Sequence, residues 1–202
     1  MTPLNLLIVG YGNIGRHVYN DLHPLIRQGF SLDIYDKFVT DNNTIKDITY
    51  DIAFICVPTD NNEEGKVQID AVEDAVASTK ADIIVIKSTI PVGASEYFKE
   101  KYSKRIVFSP EYYGTTIHAP ASPNFVVLAG DRQDTEVLCN MYSKIKDGTF
   151  RIKFTDYRTA ELAKYMENCF LGLKVTFCCE FAEIAKDFGI SYPELREIFI
   201  MD

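Results

Sequence analysis

Residues 4–36 carry the pattern that most restricts what this chain can become. Leu4-Asn5-Leu6-Leu7-Ile8-Val9 is almost continuously apolar, as a strand buried on both faces would be. Gly10, Gly12 and Gly15 follow as G-x-G-x-x-G, and a helical pattern opens at about Asn13. Each glycine answers a physical need: a tight turn, a close approach of backbone to a diphosphate, and packing of helix on strand. The helix start offers unpaired N–H groups and the positive end of a dipole. Ser31-Leu32-Asp33-Ile34-Tyr35-Asp36 reads as a second strand, and Asp36 closes it twenty-one residues after Gly15. A carboxylate there suits a ribose diol and favours NAD over NADP. An ordinary glycine turn beside a surface aspartate is the plain alternative, and the strand–turn–helix context argues against it.

Beyond this unit the pattern repeats. Residues 13–28 read as a helix that Pro24 interrupts and Gly29 ends. Residues 52–57 form a third strand stopped by Pro58, and a helical face recurs through Ile69, Val72, Ala75 and Val76. Residues 83–86 are a fourth strand, with Pro91 expected in the first turn of the helix that follows. Strands at 106–108, 125–129 and 150–154 frame a helix marked by Val137, Leu138, Met141, Tyr142 and Ile145. Strands separated by helices imply an α/β fold, a doubly wound, mostly parallel Rossmann sheet, over residues 1–155. From Tyr157 to Phe188 one long helical pattern runs without proline, with Asp156 as its N-cap and Gly189 as its stop. At 1.5 Å per residue such a helix is about 45 Å long, which outruns the first domain. It begins a second, truncated helical domain at 156–202, and its apolar stripe must pack on another domain or subunit.

The formal charge of the 202 residues is -8 with no basic tract, which argues against nucleic acid as a partner. No apolar run reaches the roughly 20 residues of a membrane span, and the chain enters its first strand with no signal peptide pattern. The five cysteines Cys56, Cys139, Cys169, Cys178 and Cys179 lack metal-site spacing, so no metal is expected. They read as reduced, buried thiols of a cytoplasmic protein.

Chemistry is expected where strands end toward the crevice. Thr59, Thr89 and the Ser109–Gly114 segment converge there. Thr89 is either a crevice hydroxyl or a helix cap, and Glu111 either a general base or a solvated carboxylate. Lys164 and Asn168 stand four apart on one helix face and could together hold an oxyanion, with Glu161 placed to pair with Lys164. His17, His23 and His118 are scattered and receive no role.

Five segments together carry a resemblance: Gly10-Tyr11-Gly12-Asn13-Ile14-Gly15, Cys56-Val57-Pro58-Thr59, Ser88-Thr89-Ile90-Pro91-Val92-Gly93, Ser109-Pro110-Glu111, and Ala160 to Asn168. The chain resembles the UDP-glucose/GDP-mannose 6-dehydrogenases, NAD-dependent oxidoreductases of nucleotide sugars. The resemblance implies oxidation of a UDP-glucose-type C6 alcohol to a carboxylate in two NAD-dependent steps, through a thioester on a cysteine. It implies cofactor contacts from Gly10, Gly12, Asn13, Ile14 and Gly15, from Asp36 and Lys37, from Val57, Pro58 and Thr59, and from Ser88 and Thr89. It implies catalytic roles for Thr89, Glu111, Lys164 and Asn168, and a homodimer built through the long helix at 157–188. Two departures stand out. Thr115 occupies the position where such proteins usually carry a second glutamate, and no G-x-C-x-P-K-D nucleophile stretch is present. The expectation is the NAD-binding portion of such an enzyme, whether a fragment, a split gene product or a natural short form, with the nucleotide sugar bound only if the missing domain is supplied. The alternatives are a β-hydroxyacid dehydrogenase-like enzyme, which shares the lysine–asparagine pair, and a non-catalytic NAD-binding or assembly module.

Overall fold

A computed structural model of the chain describes residues 2–38, 48–113 and 123–201. Two compact units are present, Met1–Leu162 and Ala163–Asp202. Expectations for Gly114, Thr115 and His118 fall outside the described residues.

In the first unit the elements are β1 (Asn5–Val9), α1 (Asn13–Leu22), β2 (Ser31–Tyr35), β3 (Tyr50–Ile55), α2 (Asp70–Ser78), β4 (Ala81–Ile86), α3 (Ala94–Tyr102), β5 (Arg105–Phe108), β6 (Phe125–Gly130), α4 (Arg132–Tyr142) and β7 (Arg151–Thr155). Among the described residues they build one seven-stranded sheet in the order β2-β1-β3-β4-β5-β6-β7. β1 to β5 are parallel, β6 runs antiparallel to β5, and β7 is parallel to β6. The order reverses beside β1: the chain passes outward to β2 and then back across to β3. That is the switch point where open α/β sheets bind ligands.

The continuous apolar strands are explained by burial on both faces. Leu7, Val9, Ala53, Ile55, Ile84 and Ile86 pack with Val72, Val76 and Phe98 on one side. Leu6, Ile8, Ile52, Phe54, Ile83 and Val85 pack with Val18, Leu22, Leu138 and Met141 on the other. Successive residues of a strand serve opposite layers, so in the central four strands the polar residues Asn5, Asp51, Asp82 and Arg105 are confined to the first two positions.

Pro24 breaks the first helix as expected. α1 ends at Leu22, a 3-10 turn spans His23–Gln28, and Gly29 closes it with φ +90°. Pro91 is different. α3 begins only at Ala94, and its cap is Gly93 in the left-handed region at φ +91°. Thr89 is therefore no helix cap.

α5 (Tyr157–Asp187) begins in the first unit and α6 (Tyr192–Phe199) follows it. The Asp156 carboxylate accepts the Thr159 N–H at 2.9 Å and the Thr159 hydroxyl at 2.7 Å, which makes the expected N-cap. The Tyr157 hydroxyl donates to the Ile106 carbonyl at 2.6 Å and fixes the first turn to β5. The cysteines depart from expectation. Cys56 is buried and Cys139 half-buried, but Cys169, Cys178 and Cys179 are exposed, because the apolar pattern of α5 is largely uncovered within one chain.

Candidate functional site

The three glycines of the first turn do different work. Gly10 has φ +91°, and a Cβ there would meet the Cys56 carbonyl oxygen at 2.8 Å. Its N–H is held by the Tyr35 carbonyl at 2.8 Å, so the turn is locked between β2 and β3. A Cβ at Gly15 would run into the Gly10 carbonyl. At Gly12 a Cβ would meet nothing within 4 Å. The first and third glycines thus serve the packing of the chain, whereas the second faces open space at the start of α1. No side chain caps that helix, which leaves its first-turn amides to a ligand. This open cradle fits a diphosphate.

Asp36 stands at the end of β2. Its Oδ2 accepts the Tyr11 N–H at 2.6 Å and its Oδ1 accepts the Phe38 N–H at 2.8 Å. Each carboxylate oxygen has two lone pairs, so each retains capacity for a ligand hydroxyl. The glycine turn and the carboxylate are thereby one rigid assembly.

These groups border a crevice of about 450 Å³ at the carboxyl ends of the parallel strands. Gly10, Gly12, Asn13 and Ile14 line one part, and Asp36 and Phe38 another. Cys56, Val57, Pro58 and Thr59 directly follow β3, Lys87, Ser88 and Thr89 directly follow β4, and Glu111 lies beyond β5. The Ser88 hydroxyl donates to the Val57 carbonyl at 2.6 Å and ties the ends of β3 and β4 together. Buried Lys87 donates to the Ser109 hydroxyl at 3.3 Å and the Pro110 carbonyl at 3.4 Å. Glu111 accepts the Tyr113 N–H at 2.9 Å. Tyr113 in turn stacks on His17, with centroids 4.7 Å apart, and donates to Asp21 at 2.8 Å. Lys146 holds the same Asp21 at 2.9 Å. The Ser109–Tyr113 segment is pinned to α1 on one side and to β4 on the other.

Two of the residues expected at the cofactor do not line the crevice. Gly15 lies beneath it in the helix–strand packing, and Lys37 sits over the Phe38 ring, 4.9 Å from its centroid. Three lining residues carried no expected role at the cofactor: Phe38, Cys56 and Lys87. Cys56 and Lys87 occupy carboxyl ends of strands, and that placement was the available signal. Burial pushes the Cys56 thiol from its ordinary 9.0 up to about 12, with the Lys87 ammonium drawing it partly back. It is no nucleophile at neutral pH.

Lys164 and Asn168 belong to the second unit, one turn apart on α5. Lys164 pairs with Glu167 at 2.7 Å. Glu161 does not serve it as expected. Its carboxylate accepts the Gly93 N–H at 2.6 Å and the Ser95 N–H at 2.9 Å, because the amino end of α3 leaves those donors to be filled. Among the described residues no group of three or more His, Cys, Asp or Glu could hold a metal ion, and no helix is long and apolar enough to cross a membrane.

A doubly wound sheet whose crevice opens at the β1/β3 switch point, with an open glycine turn and a carboxylate at the next strand's end, defines a dinucleotide-binding domain of the Rossmann type. Comparison with known proteins narrows this class. The chain belongs to the UDP-glucose/GDP-mannose dehydrogenase family: residues 20–146 match that family's NAD binding domain and residues 158–202 its central domain. A UDP-glucose 6-dehydrogenase of Rickettsia typhi is 30% identical over 160 residues, covering 73% of this chain and 37% of that protein. A UDP-N-acetyl-D-mannosamine dehydrogenase of Methanocaldococcus jannaschii is 30% identical over 162 residues, covering 73% and 38%. The chain therefore spans well under half the length of these curated relatives. The fold matches a UDP-glucose dehydrogenase structure from Pyrobaculum islandicum with TM-score 0.79 at 19% identity, over 99% of this chain and 57% of that one. Membership in this family separates the chain from the hydroxyacid dehydrogenases that share its architecture.

Proposed function

We propose that the chain binds NAD in the crevice and forms the cofactor half of a cytoplasmic nucleotide-sugar 6-dehydrogenase, with residues 1–155 as cofactor domain and 156–202 as the start of the central domain. The observation that carries this reading is the open space at Gly12 beside the uncapped start of α1, one strand away from Asp36. The amides of Asn13 and Ile14 hold the diphosphate, and the Asp36 oxygens take the adenosine ribose hydroxyls. Val57, Pro58, Thr59, Ser88 and Thr89 wall the nicotinamide end, where NAD accepts hydride from the substrate alcohol. Glu111 faces that end from the pinned Ser109–Tyr113 segment. Lys164 and Asn168 stabilise negative charge on the substrate oxygen. The five free thiols agree with a reducing compartment. The uncovered apolar side chains of α5 support a homodimer through residues 157–188.

The nucleotide sugar is of the UDP-glucose type, and its binding depends on a domain outside these 202 residues. No G-x-C-x-P-K-D stretch is present, so the thioester step is not carried by this chain. Isothermal titration with NAD tests the reading. Wild type is expected to bind, Asp36→Ala to lose most affinity, and Gly12→Val to lose binding while its melting temperature stays unchanged. Tight binding that survives both substitutions contradicts the proposal. Turnover of UDP-glucose to UDP-glucuronate by the chain alone contradicts the assignment of a partial site.

A further inference from the structure

Phe38 is 80% exposed. A single apolar side chain on a surface normally needs no explanation. This one lines the crevice, two residues beyond the carboxylate assigned to the ribose. Its position is held: its N–H donates to Asp36 Oδ1 at 2.8 Å, so ring and carboxylate share one turn. The Lys37 ammonium stands 4.9 Å from the ring centroid. Phe38 lines the crevice and Lys37 does not. An aromatic side chain on an anchored backbone position thus borders the crevice beside the group that would grip the ribose.

We propose that Phe38 is the platform on which the adenine of the dinucleotide stacks, a contact that contributes affinity at the base end of the cofactor. The inference rests on the NAD reading above. A base is joined to the same ribose whose hydroxyls Asp36 would hold, so it must lie within reach of the next residues along the chain. Stacking a base on an aromatic ring removes two apolar faces from water at once, and every base has such a face. The exposed ring acquires its cover from the ligand.

The chain contains no tryptophan, so Phe38→Trp creates a single fluorescent reporter at the site. ADP-ribose, which lacks the nicotinamide that would itself quench indole, is the probe. Titration of Phe38→Trp with ADP-ribose is expected to quench the indole emission saturably, while ribose 5-phosphate at the same concentrations leaves it unchanged. Isothermal titration of Phe38→Ala is expected to show affinity for ADP-ribose and NAD lowered by about 10-fold, with the melting temperature unchanged because the ring packs on little. Full affinity in Phe38→Ala together with unquenched emission in Phe38→Trp overturns the stacking role and leaves NAD binding intact. Failure of the wild-type chain to bind either NAD or ADP-ribose overturns both.

Discussion

The glycine turn separates two demands that a sequence motif merges. Gly10 and Gly15 are glycines because neighbouring backbone leaves no room, and Gly12 is one although the protein itself leaves its Cβ position open. A ligand is the natural reason for the second. Burial makes the complementary statement at Cys56. Its thiol is pushed up from 9.0 to about 12, and burial raises the Tyr113 and Tyr142 phenols as well. The unfolded chain releases the Cys56 proton near pH 9 while the folded chain keeps it to about 12. Across that window the unfolded state binds fewer protons, so stability is full below pH 9 and falls as pH rises. The slope from one such group approaches about 1.4 kcal/mol per pH unit. Urea unfolding at pH 8, 9 and 10 is expected to show a shallower alkaline loss in Cys56→Ala than in wild type, and equal slopes would refute the burial argument. The sequence marked this cysteine as buried in a strand. It marked the three on α5 likewise, and those are exposed, because a periodic pattern reports a face and not what covers it.

At the scale of elements, the strands and most helix positions were legible because each element's apolar period matches its geometry. Two features were not. The start of α3 was misplaced since Pro91 fits either a first helical turn or the turn before it, and only the position of Glu161 resolves the ambiguity. That carboxylate comes from sixty-odd residues away to fill the Gly93 and Ser95 donors. Glu161 also sets the loop that bears Thr89, since the same turn leads from β4 into α3. Replacing it with alanine leaves two amides without their charged acceptor. Hydrogen bonds to charged groups contribute about 1.5–3 kcal/mol each. Glu161→Ala is expected to lower the urea midpoint substantially and to speed hydrogen exchange at Gly93 and Ser95. Unchanged protection at both amides would remove the clamp. The reversal of β6 was the other illegible feature, because strand direction depends on how the chain returns to the sheet and not on the residues of the strand.

For the whole molecule the uncovered residues of α5 and α6 dominate. Met166, Phe170, Leu173, Val175 and Phe188 are all exposed, and Phe177 has Phe181 and Phe199 as ring neighbours, at 4.7 and 5.9 Å. Exposed apolar side chains in this number are what a partner surface would cover. If a second copy covers it, sedimentation will give a mass twice the 22.9 kDa of one chain, and a Phe170→Lys, Leu173→Glu double variant will sediment as a monomer that still binds NAD. A wild-type monomer at high concentration rules the homodimer out.

The sequence by itself determined the layered α/β architecture, the glycine turn and the carboxylate one strand over, because hydrophobic period and backbone sterics act over a few residues at a time. The tertiary structure decided which of those residues meet. It alone brought Phe38 and Lys87 to the crevice, turned Glu161 toward α3 and pinned the Glu111 segment to α1. Each of those contacts joins residues far apart in the chain or depends on how neighbouring strands align, and no local pattern encodes that.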